Sequence, residues 1–121
     1  MWYCAHAIFY FSHEGQETFL VHENVYLIDA VDEGQALLRA REIAAEHEDL
    51  SEGGHLEVNG RKAQYHFAGI RKLIEVELDP QTGQGKLHSG VEATHSVLEV
   101  DSLSEVERLA SGEMTPVLYR E

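Results

Sequence analysis

An α+β fold is what this 121-residue sequence predicts: an antiparallel or mixed sheet of five to six strands packed with two helices, in the order β-β-α-β-β-β-α-β. Three observations carry it. Residues 2–11, WYCAHAIFYF, are apolar or aromatic on both parities, the pattern of a strand covered on both faces. Asn59-Gly60 stands between two strand-like runs, and a type I′ hairpin needs residues that tolerate positive φ at both central positions. Residues 32–50 and 101–113 each open on a capping box and then place apolar side chains at helical spacing.

The first strand carries Trp2, Cys4, His6, Ile8 and Tyr10 on one face and Tyr3, Ala5, Ala7, Phe9 and Phe11 on the other. Such a strand belongs in the middle of a sheet, or presents one face to another subunit; its two alanines let a helix approach closely. SHEGQE at 12–17 is a short connector, and 18–30 (TFLVHENVYLIDA) is a second strand antiparallel to the first. In the helix that follows, Asp32 is the cap and Gln35 its partner, with Ala36, Leu37, Ala40, Ile43, Ala44 and His47 as the inward stripe. SEGG at 51–54 ends that element. The long arm 61–78 bends or bulges at Gly69, and DPQTGQG at 79–85 is a loop. Another strand lies in 86–100, within VEATHSVLEV. A short helix follows, capped by Ser102 with Glu105, showing Leu103, Val106, Leu109 and Ala110 and stopping at Gly112. TPVLYRE closes the chain as a strand that Pro116 confines to an edge or a strand start.

Loop lengths are ordinary and repeats are absent, so residues 1–121 are expected to form a single domain. Nine basic residues against twenty-two acidic ones leave a formal charge of −13, which repels a phosphate backbone and excludes nucleic acid as an expected partner. No segment has the length and apolarity of a membrane span, and no leader is recognisable. A single cysteine forms no intrachain disulfide, which fits a cytoplasmic protein.

Cys4 with His6 as base is the nearest thing to a nucleophile pair, but residues two apart on a strand hold their Cα atoms roughly 6.5–7 Å apart. Their apolar neighbours also raise a thiol pKa. The weak metal candidates are Cys4, His6, His66 and His95, none at the spacing of a known metal motif, so no metal and no cofactor are expected. Eight histidines offer pH sensing without an evident bistable element. Glu75 and Glu77 alternate with Ile74, Val76 and Leu78 as a strand with one wet face. Phosphate-cradling glycines, a Gly-x-Ser-x-Gly elbow and His-Glu-x-x-His are all missing, so no catalytic residues are assigned and the chain leans away from being an enzyme.

WYCAHAIFYF, ENVYLIDAVDEGQALLRAREIAAEHE and RKAQYHFAGIRKLIEV together resemble a bacterial family of small domains of unknown function, numbered 4288. The resemblance covers about residues 2–78 and rests on the Trp2-Tyr3-x-Ala5 opening, an Ala/Glu-rich helix and a long aromatic strand. It implies that fold and carries no activity. Cys4 stands where the family has a small hydroxyl residue, which weakens a catalytic part for the thiol.

The functional expectation is therefore a small acidic, non-enzymatic interaction module that self-associates as a homodimer through Trp2, His6, Ile8 and Tyr10, with a basic protein as a further partner. The alternative is a small enzyme or small-molecule-binding protein with a pocket near His6, Tyr65 and His66.

Overall fold

Strand β1 (Trp2–Ser12) is the central strand of a three-stranded antiparallel sheet, between β2 (Val21–Asp29) and β5 (Gln64–Glu75). The computed structural model describes residues 1–51, 56–81 and 83–120. Central placement is what a strand apolar on both parities requires, since only there can both faces be covered. Helix α1 (Glu33–Glu46) packs on the face of Tyr3, Ala5, Ala7 and Phe9. Ala36, Ala40 and Ala44 are fully buried against it, so small side chains on both elements set the close approach. Tyr65 stacks on Phe9 with ring centroids 4.6 Å apart and closes the wide end of this core.

Local chemistry accounts for the termini and turns. Asp32 accepts from the Gln35 amide at 2.8 Å, while the Gln35 side chain accepts from Val31 rather than from the cap residue itself. Asn59 and Gly60 sit at φ 53° and 76°, forming the type I′ turn between β3 (Glu57–Val58) and β4 (Arg61–Lys62). α1 ends at Glu46, ahead of the SEGG stretch, of which residues 52–54 lie outside the described residues.

Three differences from the sequence reading matter for function. The fold is α+β with two helices, but its strands form one three-stranded sheet and two separate two-stranded hairpins instead of a sheet of five to six. The long arm breaks at Ala63 into β4 and β5, which adds a strand to the expected order. Its register slips at two places, leaving Ala68 and Arg71 as extra residues, while Gly69 stays in register opposite Ile8. Finally, only Val97–Glu99 of the 91–100 stretch is a strand, β6, paired with β7 (Leu118–Arg120). Residues 91–96 instead run as an extended strap, without strand pairing, across the sheet face opposite α1. Helix α2 (Leu103–Ala110) joins β6 to β7, capped by Ser102 and followed by Gly112 at φ 83°.

Candidate functional site

The face of the sheet opposite α1 gathers the polar side chains that chemistry would use. Strict alternation puts Cys4, His6, Ile8 and Tyr10 of β1 there, opposite Leu27, Val25, Glu23 and Val21 of β2. On the other side Ile74 lies opposite Cys4 and Lys72 opposite His6. The bulge at Arg71 makes two consecutive residues useful on one face: Arg71 pairs with Glu23, and Lys72 reaches the strap.

The side chains of Cys4, His6 and Lys72 hold the strap, Lys72 also donating to Ser96 Oγ at 3.2 Å. Cys4 Sγ donates to Ala93 O at 2.7 Å, His6 Nε2 and Thr94 Oγ1 lie 2.5 Å apart, and Lys72 Nζ donates to His95 O. His6 is thereby buried to 2% exposure. Among the described residues its Nδ1 has no hydrogen-bond partner; it sits 3.7 Å from Glu23 Oε2. A proton on Nδ1 faces the carboxylate charge, and Nε2 then accepts from the Thr94 hydroxyl.

Burial lowers the His6 pKa, Lys72 and Arg71 lower it further, and Glu23 opposes them without reversing the direction. For Glu23, burial pushes the carboxyl up, but the hydrogen bond and charge of Arg71 outweigh it and hold it below the usual carboxylate range. Burial also raises the Cys4 thiol. At neutral pH the site thus holds a neutral imidazole and a protonated thiol that donates to a carbonyl. That arrangement binds a peptide backbone; it does not prepare a nucleophile.

The other expected site residues are dispersed. Trp2, His6, Ile8 and Tyr10 share the strap face, but His6 lies beneath Thr94 and is not on the surface. Tyr65 packs on the helix face with Phe9 and bonds Asn24, whereas His66 is on the strap face, stacked on Tyr10 and 2.6 Å from Ser12 Oγ. His6, Tyr65 and His66 therefore do not line one pocket. His95 contributes its carbonyl, not its ring, to the cluster. Among the described residues no three His, Cys, Asp or Glu side chains converge as a metal-binding set. A cleft of about 510 Å³ lies elsewhere, between the β1–β2 connection and the β3–β4 turn, lined by Phe11, Phe19, Asn59 and Arg61 among others.

Sequence reasoning missed Glu23, Arg71, Lys72, Ala93 and Thr94. The alternation of β2 pointed to Glu23 facing the same way as Val21 and Val25. Nothing in the local pattern places residues 93–95 over residues 4–6. Also missed was the bare half of this face: the strap reaches Cys4 and His6 of β1 and Lys72 of β5, and Val25 and Leu27 on β2 remain 45% and 53% exposed.

No curated protein and no solved structure matches the chain. The family model described as "Domain of unknown function (DUF4288)" matches residues 2–89, past residue 78 and up to the threshold of the strap. That span includes the whole three-stranded sheet and α1 and well over half of the chain, which therefore belongs to the DUF4288 family.

Proposed function

We propose that this protein is a non-enzymatic interaction module of the cytoplasm that works as a homodimer. The observation that carries the reading is α2. Eight residues are far fewer than the roughly 12–15 at which an isolated helix is even marginal in water. Yet none of α2 is buried: Leu103, Val106 and Leu109, at helical spacing, remain 72%, 46% and 39% exposed. A strongly amphipathic helix of this length draws its stability from packing, so its apolar side calls for a surface beyond those described. The bare β2 half-face, with Val21, Val25 and Leu27, is a second unpartnered apolar row on the same chain. Two such rows on one chain allow a symmetric pair to bury both. With a charge of −13, any further partner is expected to be a basic protein.

Light scattering at micromolar concentration tests the reading. The expected mass is that of two chains, falling to one in Leu109→Glu and in Val25→Glu with the far-UV circular dichroism unchanged. A single-chain mass for the unaltered protein overturns the dimer.

A further inference from the structure

We propose that the sheet face over Cys4 and His6 is a docking groove for one extended peptide segment, and that residues 91–96 of a second copy take the seat held here by the chain's own strap. The identity of that occupant rests on the homodimer reading above; the groove itself does not.

The groove recognises an extended backbone by its alternation. Two carbonyls, of Ala93 and His95, are read by Cys4 and Lys72, and the side chain between them, Thr94, is read by His6. Ala93 and His95 themselves are exposed, so their side chains contribute little, and the residue-specific elements are two small hydroxyls, Thr94 beside His6 and Ser96, which accepts from Lys72 Nζ at 3.2 Å. Among the described residues no backbone–backbone hydrogen bond joins 92–96 to the sheet. The strap is therefore a ligand laid on a finished surface, not a fourth strand of it. The family match ends at residue 89, so the groove lies in the family domain and its occupant lies outside it.

The leash between them holds length in reserve. Residues 83–90 are folded into turns, with Lys86 bonded to Gly83, Val91 bonded to His88, and Gly85 and Gly90 at positive φ. Pulled out, that stretch spans about 25 Å. An exchanged strap meets the same Cys4, His6 and Lys72 atom for atom, because the partner is the same sequence. It also carries the partner's α2, with its unpartnered apolar side, toward a sheet whose β2 half is bare.

Cys4 is the sole cysteine, and the strap covers it, so its labelling rate by a maleimide reports whether the seat is filled. In the 121-residue chain, Thr94→Arg is expected to empty the seat and raise the rate by about tenfold or more while circular dichroism stays native. Thr94→Val, which keeps the shape and loses the hydroxyl, serves if the arginine variant does not fold. A synthetic peptide of residues 90–97, GVEATHSV, is then expected to restore protection, and a scrambled peptide is not. A Lys72→Glu chain, whose strap is intact, is expected to restore it when mixed with the Thr94→Arg chain. Restoration by the peptide but not by the second chain overturns the second copy as occupant. Restoration by neither, or unaltered labelling in both Thr94 variants, overturns the groove. A two-chain mass in light scattering with neither restoration leaves the dimer standing and removes the groove alone.

Discussion

His6 shows how one side chain acquires its behaviour from its neighbours. Cys4 flanks it on β1, Glu23 faces it from β2, Lys72 and Arg71 from β5, and Thr94 from the strap. Burial and the two cations keep the folded-state pKa below the reference 6.5, so the unfolded chain binds the proton more readily. Stability is then full above about pH 6.5 and declines as pH falls from there toward the folded pKa. Glu23 acts in the same direction at lower pH, because its depressed pKa gives stability that is present above its reference 4.5 and lost below it. Urea midpoints measured from pH 7 down to pH 3 should fall in two stages. His6→Gln should flatten the first and leave the second; an unchanged first stage in that variant would assign it to another histidine.

At the scale of elements, α1 and β1 meet through alanines. Ala36, Ala40 and Ala44 have no exposed surface, and neither do Ala5 and Ala7 opposite them. Such an interface has no room for an isobutyl side chain in place of a methyl, so Ala40→Leu should cost about 1–3 kcal/mol, read as a lower thermal midpoint. The alanines of this stripe were legible in the sequence, because helical spacing is a property of neighbours along the chain; His47, expected to point inward with them, is exposed and stacks on Tyr26. The bulges were legible only in part. Gly69 marked the right region, but the extra residues are Ala68 and Arg71, and a Cβ at Gly69 would meet nothing within 4 Å. What positions the bulges is the match of β5 to β1 on both faces, which depends on the partner strand and not on the glycine.

At the scale of the whole molecule, the acidic excess sets the response to salt. Charges spread over one small chain repel across the solvent, and that repulsion opposes both folding and the approach of a second copy. Raising ionic strength from about 0.01 M to about 0.1 M shortens the screening length from about 30 Å to about 10 Å. The thermal midpoint and the two-chain fraction should therefore both rise over this range. A falling midpoint would mean that ion pairs such as Arg71–Glu23 and Arg120–Glu99 outweigh the net repulsion.

The sequence by itself determined that β1 has two covered faces, that α1 lays an alanine stripe on a sheet, that Asn59-Gly60 turns a hairpin, and where both helices are capped. Each of these is encoded by residues a few positions apart, within the reach of a strand or helix repeat. Only the tertiary structure decided what covers the second face of β1. The latch between Cys4 and Ala93 joins residues 89 positions apart through a side chain and a carbonyl, and such a contact leaves no periodic trace in either segment. The burial of His6 and the bare half of β2 follow from where that strap lies, and the two cations on that face follow from the Arg71 bulge in the pairing of β5 with β1.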